Sequence, residues 1–466
     1  MGNRSILIAG GGASGALLAC ALVRALHDVD VTIVEPRERL GTGMAYSTNC
    51  PLHLLNVPAG KMSAFSGEPD HFLAWLAANG YARYDGRAFV PRTIFGEYLS
   101  FVTADAQRQH PQRIRHLRET AVAASIQPSG IRVECASGKL LRGDFFVLAF
   151  GNAAPAAWPK ISGEVRESGR FFASAWDAGA LTPSDPAQAV LLLGTGLTAV
   201  DAVLGLRHNG HRGTISMVSR RGLLPHEHRL FDTPPPACPD AKSVGEFVGK
   251  VRESAREANA AFDNWRVAID GVRSKTNALW QAFTLADQRR FVRHVMPYWN
   301  VHRHRMAPQV AAMLGQLTAA GSLLMLAGRT EEMTAVAGAV RVPILARGSG
   351  ERTVLEAGRI INCSGPEHDF EKLSNPLVRS LLAQGQIAPY PLGIGLQVAP
   401  HGAMIARDGT IATRLFAIGP VRYGTLIETT AIPEIRMQAQ ELAEFFARTP
   451  RDLRAADAPP SATENG

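Results

Sequence analysis

Two glycine turns, each between a buried strand and an apolar helix, together with a strand, glycine and helix near the end of the chain, predict the fold class. They predict an α/β protein of two dinucleotide-binding, Rossmann-like, three-layer domains, the second inserted in the first and carrying a helical insertion. The first turn is Gly10-Gly11-Gly12-Ala13-Ser14-Gly15, preceded by the apolar run 5–9 and followed by a helix and a strand, 29–34, that ends on Glu35. The second is Gly194-Thr195-Gly196-Leu197-Thr198-Ala199, with an apolar strand at 190–193, a helix at 200–206 and a strand at 214–218. The closing unit is a strand ending on Gly419, then a helix reaching Phe446.

In the first unit Gly10 allows the tight turn, Gly12 lets backbone approach a pyrophosphate, and Gly15 lets helix and strand pack closely. The phosphates are expected at the helix N-terminus, where unpaired N–H groups and the positive end of the helix dipole favour anions. Glu35, twenty residues after Gly15, stands where an acid accepts hydrogen bonds from an adenosine ribose.

The chain has 466 residues, enough for two or three domains, and 49 basic against 41 acidic residues give a net charge of +8. That bias favours anionic ligands and is too dispersed to argue for nucleic acid. The five cysteines include no C-x-x-C pair, which argues against a disulfide framework, a zinc ribbon or a dithiol redox centre, and no metal site is expected. The first strand begins by about residue 5, leaving no room for a signal peptide. The longest apolar stretch, 189–206, contains Gly194, Gly196 and Asp201, so strand, turn and helix explain it better than a membrane span. A soluble cytoplasmic protein is the expectation.

After Glu35 the segment 41–67 is dense in Gly, Pro, Asn and Ser yet holds Leu, Val, Met and Phe, the composition of an ordered loop wrapping a cofactor. Helices are expected at 71–79 and 94–109, with Arg92 either a surface residue near the helix start or a pocket residue. Residues 131–151 read as a hairpin turning at Ser137-Gly138, then a buried strand returning to the first sheet, and 339–365 repeats that pattern in the second copy. The second copy has Ser219-Arg220-Arg221 where the first has its acid. Arginine there pairs with a 2′-phosphate or stacks on adenine, so a nicotinamide nucleotide is expected, NADPH or NADH. The insertion 222–321 reads as helices at 243–262, 285–295 and 306–317. Arg289, Arg290 and Arg293 read as a solvated helix face, and His302-Arg303-His304-Arg305 as either pocket or surface. The domains are expected at 1–160 with 366–450, and at 185–365, with a disordered tail at 451–466.

The two-copy plan resembles flavoproteins that hold FAD in one dinucleotide fold and NAD(P)H in a second, inserted one. The strings GTGMAYST, HLLNVPAGKMSAF, HFLAWL, FVPRTIFGEYL, GTGLTAVD and VHRHRMAP are similar to a bacterial FAD/NAD(P)-binding family that includes a flavin-dependent urate hydroxylase. More distantly the chain is similar to amine N-hydroxylating and Baeyer–Villiger monooxygenases. The resemblance implies FAD on Gly10, Gly12, Ser14, Gly15, Glu35 and Gly419, with Asn56 and Met62 near the flavin ring. It implies NADH or NADPH on Gly194, Gly196, Arg220 and Arg221, with O₂ and a small-molecule substrate as the other reactants. The implied reaction is hydroxylation of a small anionic heterocycle, urate to 5-hydroxyisourate, with Arg92, His302, His304 and Arg305 as candidates for stabilising the anion and moving protons. The alternatives are N-hydroxylation of an amine and a nucleotide-sensing flavoprotein without catalysis. The acid usual after the last glycine of the flavin domain is missing, because Pro420 follows Gly419.

Overall fold

The structure is a computed structural model that describes residues 3–127 and 129–449. The expected tail at 451–466 lies outside the described residues. The chain opens with β1 (Arg4–Ala9), α1 (Ala13–Ala25) and β2 (Val29–Val34). Next come α2 (His71–Ala78), α3 (Arg92–Gln109) and β3 (Ile114–Leu117). An antiparallel meander follows, β4 (Ala121–Gln127), β5 (Gly130–Cys135) and β6 (Leu140–Gly143), and then β7 (Phe145–Leu148) returns to the first sheet. β1 lies parallel between β2 and β7, and β2 pairs in parallel with β3. Ile6, Leu7, Ile8 and Ala9 are all buried, as an unbroken apolar strand must be when helices cover one face and further structure the other.

The second sheet starts after a short helix, α4 (Gly163–Glu167), and a two-residue strand, β8 (Phe171–Phe172). Its nucleotide-type unit is β9 (Val190–Leu193), α5 (Leu197–His208) and β10 (Ile215–Ser219). Five helices then leave the sheet: α6 (Val244–Phe262), α7 (Arg266–Val272), α8 (Thr276–Ala282), α9 (Leu285–Arg290) and α10 (Met296–Arg303). The chain returns through α11 (Pro308–Ala319) and β11 (Leu323–Thr330), followed by β12 (Thr334–Val336), β13 (Ala339–Ala346), β14 (Arg352–Ala357) and β15 (Arg359–Asn362). β15, β9, β10 and β11 pair in parallel, while β12, β13 and β14 form an antiparallel extension. α11 buries Val310 and Leu314 against this sheet's core.

The last segment rejoins the first sheet with α12 (Pro376–Ala383), β16 (Ala403–Ile405), β17 (Ile411–Ala417) and α13 (Ile432–Arg448). The first sheet therefore runs β16-β17-β7-β1-β2-β3, with one core under α1, α3 and α13 and another under α12 and the meander. α13 buries Ile432, Ile435, Ala439, Leu442 and Phe446, a spacing of three and four residues that lays one face on α1 and the sheet. The second unit thus sits inside the chain of the first, and the insertion carries helices, as the sequence predicts.

Three differences have local causes. Residues 285–295 do not end a helix. α9 passes through a wide π-helical turn, Phe291–Val295, into α10, and that turn accommodates Pro297 without breaking the rod. β3 and β4 were not expected, because IRHL and AVAASIQ carry no apolar run. β11 was also missed, because LLMLAGRT follows a helix directly and keeps Leu324 and Met325 exposed. No described helix is long and apolar enough to cross a membrane.

Candidate functional site

The first glycine turn is closed by contacts that admit no side chain. Gly10 has φ +106°, and a Cβ there would lie 2.6 Å from the Ala149 carbonyl oxygen, while one on Gly15 would lie 1.9 Å from the Gly10 carbonyl oxygen. Gly12 faces the Cα of Gly43, 3.3 Å from where its own Cβ would stand. α1 begins on Gly12 with no side-chain cap and no acid in its first turn, so its leading N–H groups are left for a phosphate. The Glu35 carboxylate is buried and accepts from the Gly11 N–H at 2.8 Å and the Arg37 N–H at 3.1 Å. Its remaining lone pairs suit ribose hydroxyls. These features, an open helix start with a glycine cradle and a fixed acid, fit a dinucleotide such as FAD.

Gly419 meets the same turn from the end of the chain. A Cβ on it would stand 2.2 Å from Ser14 Oγ. Its N–H donates to Gln438 Oε1 at 2.9 Å, Thr429 Oγ1 donates to its carbonyl at 2.7 Å, and Gln438 Nε2 donates to Thr429 Oγ1 at 2.9 Å. The residues holding this turn are neutral. The missing acid after Gly419 is thus matched by a Gln–Thr clamp, which sequence reasoning did not find.

The second turn repeats the backbone and changes the chemistry. Gly194 has φ +127° with the Cys363 carbonyl oxygen 2.4 Å from a would-be Cβ, and its N–H donates to Val218 O at 2.8 Å, as Gly10 donates to Val34 O at 3.0 Å. Ser219 therefore stands in the place of Glu35. Thr195 Oγ1 lies 2.9 Å from Ser219 Oγ and 2.5 Å from Leu223 O. α5 starts on Gly196, again with no side-chain cap or first-turn acid, and a Cβ on Gly196 would meet open space. Arg220 is exposed, and Arg347 Nη1 donates to its carbonyl at 3.5 Å. Arg221 reaches the Arg293 carbonyl at 3.4 Å, with its guanidinium 5.8 Å from the Tyr298 ring. Arg347, in the β13–β14 hairpin, joins this basic group without having been singled out in the sequence. Arg289, Arg290 and Arg293 are exposed.

The helical insertion bridges the two halves. His228 Nε2 donates to the Asn56 carbonyl at 2.9 Å, and burial, aided by the Arg305 charge, pushes its pKa down to about 4. Residues 226–228 run alongside 304–306, joined by His228 N–H to Met306 O at 2.8 Å and Met306 N–H to His226 O at 2.9 Å. Arg305 is 2% exposed and gives Nη2 to Asp270 at 2.5 Å. Its Nε and Nη1 are buried with no partner among the described residues. On the other flank, Asn277 accepts the N–H groups of Ile427 and Glu428 at 3.0 and 2.9 Å, and Trp280 donates to Gly424 O at 2.6 Å. Arg303 pairs with Glu428 at 3.2 Å, and His304 Nε2 stands 3.7 Å from the same carboxylate. Burial works to raise the Glu428 pKa, but the Arg303 charge and His304 outweigh it and hold the group at about 2.

The run 302–305 therefore does not converge on one point. His302 gives Nδ1 to Tyr298 O at 2.8 Å and packs its ring 4.5 Å from His226 and 4.8 Å from Trp265, while His304 and Arg305 turn to Glu428 and Asp270. Met62 is buried in the core of the first domain. Arg92 is paired with Asp201 of α5 at 2.8 Å and with the Leu54 carbonyl at 3.1 Å. Among the described residues no cluster of His, Cys, Asp and Glu could hold a metal ion.

Comparison with known proteins agrees with this architecture. A search of curated proteins gives no match. The reduced ornithine hydroxylase of Pseudomonas aeruginosa is similar at 16% identity over 96% of this chain and 99% of its own, with a TM-score of 0.65. L-lysine 6-monooxygenase of Pseudomonas syringae is similar at 14% identity over 96% of this chain and 100% of its own, with a TM-score of 0.66. An ornithine N-hydroxylase of Kutzneria sp. 744, with reduced FAD, NADP⁺ and L-ornithine, is similar at 13% identity over 96% and 99%, with a TM-score of 0.63. At these identities the likeness is one of fold. A family profile described as FAD-NAD(P)-binding matches residues 7–153, so this part of the chain is an FAD-NAD(P)-binding domain.

Proposed function

We propose that the chain is an FAD-dependent monooxygenase that draws electrons from NADPH or NADH and N-hydroxylates a small primary amine. The observation that carries this reading is the pair of open, uncapped glycine-turn helices, one read by Glu35 and the other by Ser219-Arg220-Arg221, in a chain built throughout like three amine hydroxylases. Gly10, Gly12, Ser14, Gly15, Glu35 and Gly419 hold FAD, with Asn56 on the loop nearest its ring; Met62, expected there too, is taken up by the core. Gly194, Gly196, Arg220 and Arg221 hold the nicotinamide nucleotide. Bound FAD, once reduced, supplies the oxygen-activating chemistry.

The protein's own residues bind, orient and manage protons. Arg305, with two guanidinium nitrogens unmet, suits a carboxylate or another anionic group on the substrate. An amine reacts through its lone pair and must shed its proton. His304 is the imidazole placed to take it, with the Glu428 carboxylate 3.7 Å away to balance the charge gained. His302 closes the outer wall beside Trp265 and His226. The buried aromatic floor of the insertion, which includes Trp280, Phe291 and Trp299, keeps water out.

The competing reading, ring hydroxylation of urate, rests on the local strings and on Arg305, whose unmet donors also suit a urate anion. The whole-chain likeness to amine hydroxylases favours the amine. The deciding experiment adds ornithine, lysine, cadaverine or urate to the FAD-loaded protein with NADPH or NADH, and follows O₂ uptake and product. Amine-dependent uptake with a hydroxylamine product is expected. Urate consumption without amine turnover moves the assignment to the ring reaction. A flavin that neither nucleotide bleaches under anaerobic conditions reduces the protein to a nucleotide sensor.

A further inference from the structure

Four of the strings singled out in the sequence place one residue each in a single part-buried contact: Thr48, His53, Arg92 and Asp201. Arg92 opens α3, Thr48 and His53 lie on the loop after β2, and Asp201 lies in α5, directly behind the second glycine turn. Arg92 Nη1 donates to Asp201 Oδ2 at 2.8 Å, and its Nε donates to Leu54 O at 3.1 Å. His53 Nε2 donates to the Asp201 carbonyl at 2.8 Å, which leaves Nδ1 to accept from Thr48 Oγ1 at 2.7 Å. The Arg92 N–H also donates to His53 O at 2.8 Å. His53 is 1% exposed, Asp201 6% and the Arg92 side chain 14%, so the ion pair is largely shielded from water.

We propose that this quartet is an interdomain latch that sets the distance between the nicotinamide nucleotide and the flavin. α5 presents its N-terminus to one nucleotide, and the loop that holds Thr48 and His53 continues to Asn56 beside the other. Tying Asp201 to both His53 and Arg92 fixes one cofactor platform against the other at two atoms, the Asp201 carboxylate and its carbonyl. Arg92 is thus a positioning residue whose guanidinium is taken up by α5 and Leu54. Burial pushes the His53 pKa down, which favours the neutral ring whose Nδ1 accepts from Thr48. Hydride transfer requires near-contact of the reacting atoms, so a small shift of α5 has a large effect on its rate.

The inference rests on the nucleotide-to-flavin reading of the two sites, and the test separates the two. Asp201→Asn and Arg92→Gln each leave one buried charge without its partner, whereas the double variant removes both. Anaerobic rapid mixing should show each single variant reducing its flavin about 10- to 100-fold more slowly with saturating nucleotide. FAD content and reduction by dithionite should be unchanged. The double variant should recover much of the rate, and Thr48→Val, which releases only the His53 ring, should slow it by a few fold. Single variants that reduce at the wild-type rate, or a double variant whose loss is the product of the singles, overturn the latch. Calorimetry gives a readout that needs no chemistry: wild type should unfold in one transition and either single variant in two. If wild type is reduced by neither nucleotide, the functional reading fails, and the calorimetric outcome alone keeps or overturns the latch.

Discussion

The two glycine turns have nearly the same backbone and opposite surroundings. Both press a positive-φ glycine onto the carbonyl that ends a returning strand, Gly10 on Ala149 and Gly194 on Cys363, and both leave a helix start open. Around the first, the glycines are tightly packed: Gly15 sits on Gly10, Gly12 faces Gly43, Gly11 is held by Glu35, and Gly419 closes over Ser14. Around the second, Gly196 faces open space and a hydroxyl pair, Thr195 with Ser219, replaces the acid. The difference suits a resident cofactor in one site and an exchanging co-substrate in the other. A ligand that stays is held by a preorganised, closed cradle, and one that leaves each cycle needs an approach.

Changing the glycines should break this contrast most sharply. Gly15→Ala puts a methyl group on the Gly10 carbonyl and should give little soluble, flavin-bearing protein, read by expression and flavin absorbance. Gly196→Ala should fold and keep its flavin while weakening the nicotinamide nucleotide by about tenfold, ~1.4 kcal/mol. A colourless Gly196→Ala protein would erase the distinction between the two sites.

The acid and its hydroxyl replacement come next. Glu35→Ala removes a buried charged acceptor from Gly11 and should cost FAD binding about 1.5–3 kcal/mol, measured by flavin release on dilution. Ser219→Ala should cost nucleotide binding less than ~1 kcal/mol.

The basic end of the second turn is the next test. If Arg220 meets a 2′-phosphate, Arg220→Ala should raise the KM for NADPH about tenfold or more, by loss of one charge-assisted bond, and leave that for NADH nearly unchanged. An equal rise for both donors would instead assign Arg220 to the adenine ring.

The last effect concerns pH. The folded protein holds the His228 pKa at about 4, below its ordinary value of 6.5, so the neutral ring stabilises the fold fully above 6.5. That contribution is lost as pH falls through 6.5 toward 4. His228→Gln should flatten the fall in thermal midpoint over this window, and an unchanged slope would remove His228 as its source.

The strands, the turns and the places of Glu35 and Ser219 at the ends of β2 and β10 were legible because they depend on neighbours within a few residues. SILIA and VLLL are unbroken apolar runs, and the glycines flank them at fixed spacing. β3, with its polar IRHL sequence, is a strand only because β2 offers it an edge. The run 302–305 is legible as a region and not as a set of partners: Glu428 and Asp270, which sort its members, give no local signal.

By itself the sequence determined that there are two dinucleotide folds, that they are nested, and that one carries Glu35 where the other carries Ser219-Arg220-Arg221. Only the tertiary structure decided which buried polar groups meet. Arg92 finds Asp201 across 109 residues, Arg303 finds Glu428 across 125, and His228 finds Asn56 across 172. A turn is set by the sterics of adjacent residues. A buried ion pair is set by which two elements the topology brings together with water excluded, and there any of several arginines would satisfy the same local pattern.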